Sequence, residues 1–404
     1  MPVLKNIGLL ACCRNEGSQA DVQPIKNAAL AWEGDNIAWA GSQSELPDNF
    51  KAAETHDAGG RLVIPGLIDC HTHLAFGGWR DDEFERRILG VSYLEIAQSG
   101  GGIASTVTNT RATSDDELFD RCIGFLGEMA KLGIATIEAK SGYGLSLKDE
   151  LRLLRIYKKL NESQPLTIIP TLLAAHTVPA EFKDRRSKYI DLIIEEIIPQ
   201  VAAEKLARFC DIFVEQSAFT IAEARRILQA AKDNGLQPKL HADQLTDGNG
   251  AALAAEVDAI SADHLEHVSY RGMQLLAAAE VVAVALPMAV MVTGQKPFDA
   301  RKFIDTGVKV AVATDFNPGT APTYHLPLVM MLACLMNRMT PCEALKGATI
   351  YAAQALKCDK ETGSIEKGKW ADFSVIDSPS VDHWLYHFRP NACVMSVKSG
   401  KIRQ

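Results

Sequence analysis

The stretch IPGLIDCHTH (residues 64–73) decides how this chain folds. Its apolar lead reads as a buried strand, and it ends in two histidines, His71 and His73, one residue apart. Side chains alternate across a strand, so positions i and i+2 point the same way. The pair can therefore offer two imidazoles to one point in space, as two ligands of one metal ion must. Taken alone, such a pair also suits a solvated surface or a satisfied core. The choice between these readings rests on the rest of the chain.

Downstream of this stretch, short apolar segments alternate with longer helical patterns. Strands are expected over residues 66–71, 134–139, 166–172, 210–215, 238–241, 259–262, 281–286 and 309–314. Helical periods run between them, for example over 115–132, 147–161, 186–207 and 221–234, and Ser114 followed by Glu117 predicts a capping box at the first of these. Eight β/α units over this length predict an α/β chain with a closed (β/α)8 TIM-like barrel across 61–361. A doubly wound open sheet is the alternative. It is weakened because no GxGxxG follows any of the strands. The ends of the chain read differently. Strand-like runs at 7–12, 28–32 and 36–40, with Gly34-Asp35 as a hairpin turn, resemble in composition the turn-and-strand pattern of 361–377 and 393–397. A small β-sandwich domain built from 1–60 and 362–404 is expected.

In a barrel of this kind the chemistry lies at the C-terminal ends of the strands. Strand one ends in His71 and His73, and strand two in Glu138 and Lys140. His176 follows strand three, Glu215 ends strand four and His241 strand five. His264 follows strand six, and Asp315 ends strand eight. Five of the ten histidines fall at these ends, a sorting that scattered core histidines would not show. The metal reading of the HxH pair gains from it.

Composition narrows the partners. With 47% hydrophobic residues the 404-residue chain has ample material for a core. A net charge of −8 without any Lys/Arg run argues against nucleic acid. The nine cysteines are odd in number and form no CxxC pair, as expected for reduced, mostly buried thiols in the cytoplasm. The longest apolar run, 281–292, is interrupted by Pro287 and falls short of the ~20 residues a membrane helix needs, so no membrane partner is expected.

The residues also carry a resemblance. PGLIDCHTH, HADQ (241–244), ADHLEH (262–267) and ATDFNPGT (313–320) resemble the metal-dependent amidohydrolases. FGGWRDDEFE (76–85), GGGI (100–103), KSGYGL (140–145) and the GSIEKGKWADF signature of the tail are similar to the imidazolonepropionase branch of that superfamily. The resemblance spans essentially the whole chain. It implies one divalent ion, Zn²⁺ or Fe²⁺/Fe³⁺, on His71, His73, His241 and Asp315. Relatives with two ions bridge them through a lysine at the end of strand four. Residues 214–219 (VEQSAF) contain none, so a single ion is expected, with Lys140 left to pair with Glu138 or to support the loop after it. Asp315 is the implied base, and His264 its partner at the developing oxyanion.

The implied reaction is hydrolytic ring opening of 4-imidazolone-5-propanoate to N-formimidoyl-L-glutamate in histidine degradation. Arg80 would bind the carboxylate tail, since a guanidinium meets carboxylate as a bidentate fork. Tyr143, His176, Gln244, Asn317, Gly319 and Thr320 are the other implied substrate contacts. Gln cannot act as a base, so Gln244 leaves proton transfer to Asp315 and His264. His267 is expected to be structural or to support the site residues from behind. Another cyclic-amide hydrolase or a deaminase of the same superfamily is the alternative, and Arg80 separates the two because deaminase substrates usually lack a carboxylate tail. A homodimer is implied by the family alone.

Overall fold

The computed structural model describes residues 1–403 apart from 92–94, 97–98 and 216–217. Part of the 214–219 segment that the single-ion expectation rests on therefore lies outside the described residues. The chain opens with β1 (Pro2–Ala11), β2 (Pro24–Glu33), β3 (Asn36–Ser42), β4 (Glu54–Asp57) and β5 (Leu62–Pro65). The Gly34-Asp35 turn joins β2 to β3 in antiparallel register. β1 pairs in parallel with β4 through its first half and with β5 near its end.

Eight strands then follow one another around a barrel. They are β6 (Leu67–Asp69), β7 (Ile134–Lys140), β8 (Thr167–Ala175), β9 (Phe209–Val214), β10 (Gln237–Ala242), β11 (Ser261–His264), β12 (Val282–Ala285) and β13 (Val310–Val312). Each pairs in parallel with the next. A strand such as β12, Val-Ala-Val-Ala, is buried throughout because helices cover the outer face of a parallel sheet. The barrel is closed just past β6 and β13. Asp315 N–H donates to the His71 carbonyl at 3.0 Å, and His73 N–H donates to the Phe316 carbonyl at 2.8 Å. Beneath these bonds the Asp69 carboxylate accepts from Thr314 N–H and its hydroxyl, at 3.0 and 2.6 Å. The HxH pair and the last aspartate of the site are thus adjacent because they flank the closing seam.

The tail adds β14 (Phe373–Ile376), β15 (Cys393–Lys398) and β16 (Lys401–Arg403), and β14 lies antiparallel beside β5. The first five and last three strands form one sheet around an apolar cluster of their own that includes Leu4, Ile7, Trp32, Phe373 and Val375. Trp32 Nε1 donates to the Gly400 carbonyl at 2.8 Å, tying the two chain ends together. Gly66 carries the chain from this sheet into the barrel. A Cβ there would meet the Ala135 methyl at 2.6 Å, so the crossing admits glycine alone.

Three local expectations need correction. His264 is the last residue of β11 rather than a residue after it, because the strand registers Lys239 against Ser261 and Ala242 against His264. The helical pattern at 186–207 forms Arg186–Leu192 and Ile198–Ala203, joined by a wider π turn over Ile193–Ile197. At Ser114 only half of the capping box forms: its hydroxyl accepts from Glu117 N–H, while the Glu117 carboxylate pairs with Arg121 at 3.0 Å. Complete boxes form at Thr220/Glu223 and Thr340/Glu343.

Candidate metal centre

His71, His73 and His241 are buried, and each offers a ring nitrogen within 4.8 Å of the others. Nδ1 of His71 lies 2.6 Å from Asp263 Oδ2. A carboxylate only accepts, so Nδ1 carries a proton, and in the neutral imidazole Nε2 keeps its lone pair. Nδ1 of His241 lies 3.0 Å from Asp211 Oδ2, within ion-pair distance but outside hydrogen-bond geometry. Nε2 of His71 and of His73 each lie 3.4 Å from Asp315 Oδ1. The Nε2 atoms of His71 and His241 are buried without a hydrogen-bond partner among the described residues. Buried imidazole nitrogens are seldom left so. Three imidazoles, two of them with a carboxylate beside the outer nitrogen and a further carboxylate between their inner faces, form a donor set that suits a divalent transition ion.

Beneath the imidazoles lies a group of charges that sequence reasoning did not assemble. The Lys140 ammonium, wholly buried, stands 2.7 Å from Asp211, 3.0 Å from Glu138 and 3.5 Å from Asp263. Lys239 pairs with Glu138 at 2.9 Å. Lys140 does pair with Glu138, as expected, but it also supports the two aspartates that orient His71 and His241. Burial works against an ionised Asp211, yet His241 and Lys140 outweigh it and hold its carboxyl well below the usual carboxylate range. Burial is likewise outweighed at Asp263, by Lys239, Lys140 and His71. Asp211, Asp263 and Lys239 were missed because apolar strand patterns draw attention away from single polar residues. Their signal was present: Lys239 is two residues before His241, and Asp263 two after Ser261, so polar residues recur with period two on strands that are otherwise apolar.

The expected substrate-binding residues surround this centre in part. The His176 ring stacks on His73 with centroids 5.1 Å apart, and the Tyr143 ring lies 5.4 Å from His176 and 5.6 Å from His73. Nδ1 of His176 lies 3.0 Å from the Gly142 carbonyl, an acceptor, so Nε2 is again the unprotonated nitrogen. Burial, with His73 and His241 beside it, keeps this imidazole neutral far below its ordinary pKa. Glu150 holds the loop that carries Tyr143. Its carboxylate accepts from the amides of Gly142, Gly144 and Leu145, the last at 2.7 Å. This positioning role has no sequence signal beyond a polar residue on the buried face of a helix.

Arg80 is 4% exposed. Its Nε donates to Glu83 at 3.1 Å, and its Nη2 is buried with no partner among the described residues. Glu83 also binds Arg87 at 3.0 Å and the amide of Gly102 at 2.6 Å, joining the loop after β6 to the GGGI segment. The Arg80 guanidinium lies against Gly319, where a Cβ would come within 2.1 Å of it. Asn317 turns its own loop: Oδ1 accepts from the amides of Gly319 and Thr320, at 2.9 and 2.7 Å, and Nδ2 donates to the Asp315 carbonyl at 2.7 Å. Gln244 is half-buried just past β10, and Glu215 binds the amides of the next two residues at 2.9 and 3.2 Å. His264 is buried, with its ring 5.4 Å from His241 and 5.9 Å from His71. His267 is exposed.

Comparison with known proteins shows what the chain is similar to. The profile of the amidohydrolase family matches residues 62–403. The chain is 44% identical to an imidazolonepropionase of Brevibacillus brevis, over 94% of this chain and 90% of that protein. It is 42% identical to an imidazolonepropionase of Fusobacterium nucleatum, over 99% and 98% of the two chains. Among solved structures, a triazine hydrolase variant superposes with a TM-score of 0.79 at 15% identity, covering 99% of this chain and 94% of that one. Guanine deaminase of E. coli superposes with a TM-score of 0.74 at 15% identity, covering 100% and 99%. At such identities these two structures speak for the shared fold alone.

Proposed function

The chain belongs to the amidohydrolase family, and from that premise we propose how its residues carry the reaction. The reaction is that of the imidazolonepropionases, the hydrolytic opening of the 4-imidazolone-5-propanoate ring to N-formimidoyl-L-glutamate in histidine degradation. The family is metal-dependent, and the donor set described above fits a divalent ion. We assign that ion, Zn²⁺ or Fe²⁺, to His71, His73, His241 and Asp315. When bound, such an ion polarises a carbonyl and lowers the pKa of water toward ~7.

The residues supply the rest. Water adds to the ring carbonyl carbon and gives its proton to Asp315. His264 stabilises the charge that develops on the carbonyl oxygen and assists proton movement to the departing ring nitrogen as the C–N bond breaks. His176 presents Nε2 as an acceptor to a ring N–H. Tyr143 and Gln244 border the ring, and Asn317, Gly319 and Thr320 shape the loop beside it. The observation that carries the substrate assignment is the free Nη2 of buried Arg80: a desolvated guanidinium with an unmet donor calls for an anion, and the substrate carboxylate provides one. Arg80→Ala is expected to lower kcat/KM for imidazolonepropanoate about 100-fold, mostly through KM, the loss of two charge-assisted hydrogen bonds worth ~1.5 kcal/mol each. Ring opening followed by ultraviolet absorbance checks this, and unchanged turnover would refute the assignment.

A single ion is supported by charge. The Lys140 ammonium already stands among Glu138, Asp211 and Asp263 beneath the imidazoles, so a second divalent ion there would face a buried positive charge at close range. Metal analysis of the purified protein is expected to give one ion per chain, and two would overturn the count. The reading includes a cytoplasmic homodimer. The nine free cysteines support the reducing compartment, while the dimer rests on the family resemblance. No helix among the described residues is long and apolar enough to cross a membrane.

A further inference from the structure

Glu266 stands two residues beyond His264 and has no part in the reaction as set out above. Its side chain is only 1% exposed, although the turn around it reaches solvent. Oε1 lies 3.7 Å from Nδ1 of His264, whose own side chain is 3% exposed. Neither Nδ1 of His264 nor Oε2 of Glu266 has a hydrogen-bond partner among the described residues. A carboxylate and an imidazole buried side by side are unfavourable unless they serve each other. The distance exceeds that of a hydrogen bond, as is common for catalytic pairs before substrate is bound.

The backbone is bent to bring the two together. His264 and Leu265 have φ values of +78° and +66°, in the left-handed region that side chains other than glycine avoid, and Asp243 opposite them has +49°. Such residues persist where surrounding contacts over-determine them, and they cluster at functional sites. Here the contacts are backbone bonds: Leu265 N–H donates to the Ala242 carbonyl at 3.0 Å and His267 N–H to the Asp243 carbonyl at 2.9 Å. The turn is fastened to the end of the strand that carries His241. The rings of His241 and His71 also face His264, so Glu266 brings an acceptor to a ring crowded by imidazoles.

We propose that Glu266 is a positioning residue for His264: its carboxylate receives Nδ1–H, leaves Nε2 to the substrate, and stabilises the imidazolium when His264 takes up a proton. The inference rests on the role assigned to His264 above. Glu266→Gln keeps the shape and removes the charge. In the metal-loaded enzyme it lowers kcat by about 10–100-fold, part of the ~10²–10⁴-fold attributable to general acid–base catalysis. KM, ion content and thermal midpoint stay at wild-type values, which a merely structural role would not predict. His264→Gln lowers kcat further, and the double variant is no worse than His264→Gln alone, because Glu266 acts through His264. Wild-type kcat in Glu266→Gln, or a further tenfold loss when it is added to His264→Gln, overturns the inference while the reaction assigned to the site stands. Normal turnover in His264→Gln overturns that assignment and the inference with it. Should Glu266→Gln fail to fold, Glu266→Ala assayed with and without formate decides: recovery of kcat by the added carboxylate supports the pairing, and its absence overturns it.

Discussion

Replacing Asp315 by Asn is expected to lower kcat by ~10³-fold or more and to leave the purified protein depleted of its ion. Among the described residues, Asp315 is the one carboxylate that touches two of the proposed metal-site histidines, with Oδ1 3.4 Å from Nε2 of both His71 and His73. Burial opposes its charge, but those two imidazoles hold its carboxyl well below the usual range, so it is ionised at neutral pH. Asn keeps the volume and the backbone bonds of the barrel seam, including the 3.0 Å bond from its amide to the His71 carbonyl. What it removes is the negative charge and the capacity to take a proton. The fold should therefore survive while chemistry and ion binding fail together. Circular dichroism, ion content and ring-opening rate on one sample test this. An Asn variant that holds its ion and turns over normally would show that neither role belongs to Asp315.

The second large effect is on stability. Lys140→Met is expected to destabilise the protein by roughly 3–5 kcal/mol, the usual result of removing one partner from a buried ionic group. The ammonium is in contact with Glu138, Asp211 and Asp263, all wholly buried, and Met fills its volume without its charge. Lys239 then remains beside Glu138, with only imidazoles beside Asp211 and Asp263 among the described ion-pair partners. The deficit has a pH dependence of definite sign. Asp211 and Asp263 have folded pKa values depressed below the unfolded one, so the stability they contribute is present above about pH 4 and is lost as pH falls through the folded values. The gap between wild type and Lys140→Met should accordingly be widest near neutrality and shrink in acid. Urea unfolding at several pH values measures it, and an equal gap at all of them would mean that the charge of Lys140 is not what matters. The same variant loosens the carboxylates behind His71 and His241, so weaker ion binding should accompany the loss of stability.

Much of this protein is legible in its sequence. Period and punctuation alone yield eight β/α units, and HxH, His241 and Asp315 at strand ends mark where the chemistry sits, because strand direction in such a barrel sends every C-terminal end to one face. Local signals were weaker where tertiary contacts compete: Glu117 gave up its half of a capping box to Arg121, and the helix after 186 widened by a turn. The proposed ligand residues are recognisable one at a time because each is a chemically special side chain at a predictable position. What only the tertiary structure decided is who stands behind them. Asp263 serves His71 across 192 positions, Lys140 binds an aspartate 71 positions away, and the seam bonds bring Thr314 to Asp69 across 245. Such pairings depend on how the barrel closes, and a polar residue on a buried strand does not announce its partner. Sequence therefore determined the fold and the proposed ligands, while closure of the barrel determined the charge network that stands behind them and turns their donor atoms toward one point.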